Sequence, residues 1–520
     1  MLDYIIKTSI SRHYLVFLLV LGVCGLGLWN FTKLPIDAVP DITDVQVVIN
    51  TDAPGYTPLE VEQRVSYPVE TAMAGLPNLQ HTRSVSRYGL SQVTVIFDDG
   101  TDIYFARQLV SERLNAANNT LPESLEPTLG PVATGLGEIF MFTVDVIPGA
   151  QNPDGSKITP MDLRTVHDWI IRPQLLRVPG VVEVNPIGGF KKEILIELDY
   201  SNLLSFNLTQ ADLVNAIDQN NENRGVGFIE HNGSQWLLRV EGQADQINQL
   251  EELYVADFQG TPIRVKDVAN VSIGKELRTG AATQNGREVV MSTVFMLIGE
   301  NSRTVAKAVG EKLKEIKVSL PEGIVATAVY DRTELVDKTL KTVQTNLLEG
   351  ALLVVVILFL LLGNFRAALL TAVVIPIAML MTITGMVHTK VSANLMSLGA
   401  LDFGLLVDGA IIIVENCLRR LSQAHKEGGV TLNERFDIVF KATKEVIKPA
   451  LFGVFIITAV YIPIFALSGV EGKMFHPMAT TVVIALLASI ILSVTFIPAC
   501  VAIFFKKPVK ESENKLMLVL

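Results

Sequence analysis

Six apolar runs, at about 14 to 31, 347 to 363, 367 to 387, 394 to 418, 450 to 467 and 478 to 505, are each long enough to cross a bilayer as a helix. A chain of 520 residues that is 49% hydrophobic and only 18% charged is too apolar for a soluble fold. It reads as an α-helical membrane protein with six spans. Between the first and second runs lies one polar segment of about 315 residues, 32 to 346, which must sit on one side of the membrane. The first run exceeds a signal-peptide core and no A-x-A site follows before Pro35, so it is expected to stay as an anchor.

Basic residues orient the spans. Lys7, Arg12 and His13 precede the first run, Lys506, Lys507 and Lys510 follow the last, and Arg419, Arg420, Arg435, Lys441, Lys444 and Lys448 crowd the loop after the fourth. If all six runs cross, these sets share one side, and the positive-inside rule makes it cytoplasmic. Both termini are then expected in the cytoplasm and the polar segment outside, in the periplasm if the membrane is the inner membrane of a Gram-negative cell. A net charge of -10, with no basic stripe interleaved with aromatics, argues against nucleic acid as a partner. Cys24, Cys417 and Cys500 all fall in apolar runs and read as small buried residues, so no disulfide framework is expected.

The exported segment reads as α+β. DVQVVINTD, Asp44 to Asp52, is strand-like, PLEVEQRVSYPVETAMAGLP is an amphipathic helix, two strand-like runs follow, and DIYFARQLVSERLNAANNTLP is helical again. That β-α-β-β-α order needs one more strand to make a ferredoxin-like subdomain, expected over 32–135. A second subdomain of the kind is expected over 136–189 and 276–335, interrupted by an inserted subdomain over 190–275. The remaining spans are expected over 336–505, with a cytoplasmic helical loop at 419–449 and a cytoplasmic tail at 506–520, after the first span within 1–31.

The fourth run contains LDFGLLVDGAIIIVEN, and its carboxylates Asp402, Asp408 and Glu415 are out of place in an apolar helix. At 100° per residue Asp408 and Glu415 fall within about 20° of each other, while Asp402 is turned about 120° away from Asp408. A carboxylate at the bilayer centre costs about 2.5 to 3.5 kcal/mol on insertion scales, so such residues mark ion and proton pathways or pair with a cation on another helix. A proton relay is the functional reading; helix–helix pairing is the structural one.

The order of one span, a large exported α+β segment and five clustered spans resembles the N-terminal half of transporters of the resistance-nodulation-division superfamily. LDFGLLVDGAIIIVEN and PIDAVPDITDVQVVINTDAPG resemble motifs of its heavy-metal efflux branch. The drug-efflux branch carries two adjacent aspartates in the fourth span, whereas here Gly409 follows Asp408; copper and silver exporters generally lack an acid at the position of Asp402. The resemblance therefore implies the cobalt-zinc-cadmium type: a proton-driven antiporter for divalent metal cations, with Asp408 as central proton carrier and Asp402 and Glu415 beside it. It further implies a homotrimer joined to a periplasmic adaptor and an outer-membrane channel, and a C-terminal half of similar plan. A lysine from that half would pair the acids, since Lys390 and Arg366 lie only at span boundaries; on this reading the 520-residue chain alone inserts but exports no metal. No cofactor is expected, the metal ion being cargo.

Metal ligands are less marked. Divalent zinc takes imidazole nitrogen and carboxylate oxygen, and cuprous ion takes thioether sulfur. The exported segment has no HxxH or CxxC, and Met73, Met141, Met161, Met291 and Met296 follow apolar packing patterns. Glu138, at a strand start after a glycine-rich turn, and the helical pair His167 and Asp168 are the local candidates, against a plain reading as a solvated strand end and a helix-surface pair. The resemblance adds to Glu138, because cobalt-zinc-cadmium exporters have an acid there. Two rival classes fit less well. A drug pump needs an aromatic-rich cleft, and aromatic residues are only 7%. An intramembrane aspartyl protease needs aspartates on facing helices, and here both stand on one run.

Overall fold

In a computed structural model, residues 2–37, 40–117, 120–122, 125–278, 280–362, 364–427 and 431–505 are described. The tail 506–520, with Lys506, Lys507 and Lys510, lies outside them. Six helices among the described residues are long and apolar enough to span: His13–Phe31, Arg332–Leu360, Phe365–His388, Leu395–His425, Leu432–Ala466 and Gly469–Phe504. They overlie the six apolar runs but extend further. The second begins at Arg332 because the polar turns before the apolar run are already helical. The fifth begins at Leu432, where Thr431 accepts from the Glu434 backbone amide and Glu434 reaches back to Thr431.

The bundle core is built on the fourth span, whose Ala410, Ile413, Val414 and Cys417 are buried together with Val439 and Ala442 of the fifth span and Ala488 and Leu492 of the sixth. The short helix Leu2–Ser11 adds Ile6 and Ile10 to that core. Only Val16 and Gly27 of the first span are buried. A Cβ on Gly27 would stand 2.6 Å from the Cβ of Leu380, so glycine is what lets the first and third spans approach closely there.

In the exported segment, β1 (Val45–Asp52), β2 (Leu79–Arg87), β3 (Leu90–Phe97) and β4 (Pro127–Leu129) form one antiparallel sheet in the order β2-β3-β1-β4. Val47, Ile49, Val93, Val95 and Phe97, at alternate positions, face the buried side of helix residues Val61, Val65, Val69, Ala106 and Val110. The closing strand is β4, only three residues long and led by a proline.

β5 (Glu138–Val146) and β6 (Val181–Ile187) precede a separate set of strands, and β13 (Ala282–Gln284), β14 (Arg287–Met296) and β15 (Ile324–Asp331) follow it. These five make one sheet, β13-β14-β5-β15 with β6 on β14, covered by helices Pro160–Val166 and Ser302–Ile316. The strands between them pair among themselves: β7 (Lys192–Leu198) with β12 (Ala269–Lys275), β8 (Arg224–His231) with β9 (Ser234–Val240), and β10 (Tyr254–Phe258) with β11 (Thr261–Arg264). They have their own core of Leu203, Leu213, Leu250, Val265 and Val271.

The two helices expected as plain amphipathic segments each contain a π turn, Glu62–Ser66 and His167–Ile171. Each starts at a capping threonine, Thr57 or Thr159, followed by proline. A second proline, Pro68 or Pro173, comes just after each π turn. Proline has no amide to donate into the helix, and widening the preceding turn relieves the carbonyl its ring would strike.

Candidate functional site

The fourth span is not one continuous helix. Helix Leu395–Gly399, capped by Asn394 through the Ser397 amide, stops before Leu401, and a second helix runs Phe403–Glu427. Asp402 lies in the break and its carboxylate accepts from the Gly404 amide at 2.8 Å, so the expectation that it sits inside the helix, 120° from Asp408, is corrected: it caps the helix that carries Asp408. The physical cause is local. An aspartate side chain competes for backbone amides two residues on, and Gly404 offers little resistance.

Asp408 and Glu415 do share a face, together with Ile412, which is 42% exposed. The opposite face carries the core residues Val407, Ile413, Val414 and Cys417. Neither carboxylate has a hydrogen bond or ion pair among the described residues. Next to Asp408, Gly409 is buried against the sixth span: a Cβ there would come within 3.3 Å of the Ser493 hydroxyl. Ser489, one turn earlier, donates to the Leu406 carbonyl. The sixth span thus occupies the space where a second, adjacent aspartate would have to go. At the far end Asn416 donates to the Ala442 carbonyl at 2.8 Å and to Glu445 at 3.2 Å, while Arg420 pairs with Glu445 at 2.7 Å.

A polar cavity of about 420 Å³ lies where the bundle meets the sheets, lined by Lys33, Asp37, Asp41, Glu300, Arg332 and Lys390 among others. Asp37 accepts from the Ser302 hydroxyl at 2.6 Å and faces Arg332 at 3.6 Å. Arg332, 6% exposed, also donates to the Leu136 carbonyl at 3.2 Å. The Asp37 amide donates to the Ala393 carbonyl and the Ala393 amide to the Pro35 carbonyl, which ties the exit of the first span to the start of the fourth. Burial pushes the Asp37 carboxyl up, against the opposing pull of Ser302 and Arg332. Asp37 and Asp41 lie in the stretch PIDAVPDITDVQVVINTDAPG, but no sequence pattern joins them to Glu300, Arg332 or Lys390, which are far apart in the chain.

Glu138 begins β5 half-buried, paired through its backbone register with Phe295 of β14, and its side chain has no hydrogen bond or ion pair among the described residues. His167 and Asp168 are not a surface pair. His167 is 0% exposed inside the π turn, with Nδ1 2.7 Å from Asp168 and Nε2 2.9 Å from the Ser292 hydroxyl on β14. Arg164 donates to the other oxygen of Asp168 at 2.8 Å. Burial pushes the His167 imidazole below its ordinary value, with Asp168 opposing; burial would raise Asp168, but hydrogen bonds from His167 and Arg164 outweigh it and hold the carboxyl low. Both ring nitrogens are occupied in this arrangement. Among the described residues no three His, Cys, Asp or Glu side chains gather to hold a metal ion, so Glu138 does not join His167 and Asp168 in such a group.

A bundle of six apolar helices, one of them carrying unpartnered acids on a single face, joined to sheets of ferredoxin-like order, has the architecture of the resistance-nodulation-division class. The chain belongs to the AcrB/AcrD/AcrF family, whose model matches residues 5–519. It is 59% identical over 520 residues to the cobalt-zinc-cadmium resistance protein CzcA of Cupriavidus metallidurans, covering 100% of this chain and 49% of that one. It is 46% identical over 545 residues to the nickel and cobalt resistance protein CnrA of the same organism, covering 100% of this chain and 51% of that one. A crystal structure of a heavy metal efflux pump superimposes with a TM-score of 0.83 at 30% identity, covering 95% of this chain and 48% of that one. The chain spans about half the length of the relatives it matches, and corresponds to an N-terminal half of a heavy-metal efflux protein.

Proposed function

We propose that the chain supplies half of a proton-driven antiporter that exports divalent cations of the zinc, cobalt and cadmium kind across the inner membrane of a Gram-negative cell. The observation that carries this reading is the uncovered face of the fourth span, where Asp408 and Glu415 stand unpartnered in an apolar helix. Left against lipid, each acid costs about 2.5 to 3.5 kcal/mol on insertion scales. A second set of helices bearing a cation is therefore the occupant that such a face requires, and relatives twice as long have room for it.

Protons entering along this face alternately charge and neutralise Asp408, and a charge that appears and disappears at a helix interface shifts its packing between two states. Each proton delivers about 2.3 kcal/mol per 100 mV of membrane potential. The Zn²⁺, Co²⁺ or Cd²⁺ preference rests on the named activities of the relatives, with Glu138 as the ligand to test first. His167 and Asp168 would have to release their present partners to bind metal. A trimer is supported by the hairpin β8–β9, whose strands are exposed along their whole length and present Phe228, Trp236 and Leu237 outward. A periplasmic adaptor and an outer-membrane channel complete the export route.

The test is Asp408→Asn, which keeps the shape of the side chain and removes its ionisation. In a strain complemented with the whole transporter, the variant is expected to reach the membrane in normal amount and confer no metal tolerance. Undiminished tolerance would remove Asp408 from the mechanism.

A further inference from the structure

Two apolar grooves flank the first span at the end of the bundle away from the sheets. One, about 410 Å³, lies between helix Leu2–Ser11 and the first, third and sixth spans, and is lined by Ile5, Val16, Leu19, Ile377 and Leu492 with Arg12 at its rim. The other, about 470 Å³, lies on the Phe17 side, lined by Leu370, Val373, Phe496 and Phe504 with Arg366 at its rim. Chain connectivity places both arginines at the same boundary. The chain passes from Phe31 into the sheets and returns from β15 into the second span at Arg332, so His13 and Phe365 begin their helices at the opposite end. Both guanidinium groups are exposed and neither has an ion-pair partner among the described residues. Lys7, also exposed and unpaired, adds charge beside the first groove.

We infer that these grooves bind an anionic phospholipid, an acyl chain filling each groove and the phosphate engaging Arg12 or Arg366. The occupant follows from the arrangement. The groove walls are apolar side chains of membrane-spanning helices, whose backbone groups are largely paired within the helix and offer little to an extended peptide. What they lack is an apolar filling with a negative charge at one end, set at the boundary where an arginine waits. A phospholipid with a net negative headgroup has that form. This inference rests on the spans alone and not on the transport reading, and metal does not enter its test.

The full chain, purified in mild detergent, is titrated with phosphatidylglycerol or with phosphatidylcholine of equal chain length, and bound lipids are counted by native mass spectrometry. Phosphatidylglycerol is expected to bind in preference. Arg12→Gln and Arg366→Gln should each weaken it about fivefold, with phosphatidylcholine unchanged, as expected for one basic residue at an anionic headgroup. Arg12→Lys should restore most of the preference, which separates charge from folding, and Leu19→Trp should fill the first groove and remove a bound lipid. Equal binding of the two lipids, or a phosphatidylglycerol count untouched by both glutamine substitutions and by the tryptophan, overturns the proposal.

Discussion

His167 illustrates how a single buried group can set acid sensitivity. Its ring is fixed with Nδ1 against Asp168 and Nε2 against Ser292, and burial keeps its pKa below the ordinary 6.5. A base whose folded pKa is depressed contributes stability that is fully present above the unfolded value and is lost as pH falls through the folded one. Asp168, held below its ordinary 3.8, extends the same loss to lower pH. The sheet that β5 and β14 share should therefore weaken progressively below about pH 6.5. His167→Ala removes one hydrogen bond each from Asp168 and Ser292, which keep Arg164 and the Asn185 carbonyl, and opens a buried cavity; it should lower stability by about 2 kcal/mol at neutral pH. In thermal unfolding the variant should also show a flatter dependence between pH 6.5 and pH 4; an unaltered slope would mean that His167 does not titrate with unfolding. Glu138 has no such internal partner, so Glu138→Gln should leave stability alone and lower tolerance to Zn²⁺ or Co²⁺ selectively. A fall in copper tolerance alone would reassign the cargo.

The spans were legible at the scale of elements because length and apolarity are properties of a contiguous run, and β1 to β3 because strand alternation is visible over eight residues. The closing strand β4 was not, since three residues led by proline carry no period. Nor were the π turns or the break at Asp402, which depend on how one side chain or one proline meets the backbone around it. For the site, the shared face of Asp408 and Glu415 follows from a seven-residue spacing, whereas the Gly409 contact with Ser493 joins helices distant in sequence. That contact makes a prediction about the fourth span. Gly409→Asp would drive a carboxylate into the packed surface of the sixth span and should lower the unfolding midpoint, with a loss of about 2 kcal/mol or more. Gly409→Ala, which adds only a Cβ at 3.3 Å, should cost less than about 1 kcal/mol. Equal midpoints for the two variants would show that the sixth span yields freely there.

For the molecule as a whole, proton-driven export as proposed requires that a proton at Asp408 move sheets on the other side of a boundary. Beside a buried apolar cluster of Leu34, Ile36, Val336, Ile383 and Met386, ion pairs cross that boundary: Lys473 of the sixth span pairs with Asp44 at 2.8 Å and Asp99 at 2.7 Å, Arg303 pairs with Asp337 at 2.7 Å, and Arg332 faces Asp37. The last is the one connected to the fourth span, because Ala393, just before the Asn394 cap, is hydrogen-bonded on both sides to Pro35 and Asp37. A shift of the fourth span would therefore pull on Asp37, which is joined through Arg332 and Ser302 to Leu136 and the helix beginning at Ser302. Burial raises the Asp37 carboxyl above its ordinary value, so the folding stability it contributes is fully present below the ordinary 3.8 and is lost as pH rises through the folded value. Arg332 offsets part of that loss by facing the carboxylate once it ionises. Arg332→Ala should then leave the carboxylates of the fourth span able to take up protons while the sheets no longer follow. In proteoliposomes holding the whole transporter, the variant is expected to insert normally and to lose metal-stimulated proton flux. Asp408→Asn should abolish that flux as well, so the two are separated by adding Arg332→Lys, which restores the charge at the joint and should recover part of the flux; full flux in Arg332→Ala would show that the joint carries no movement.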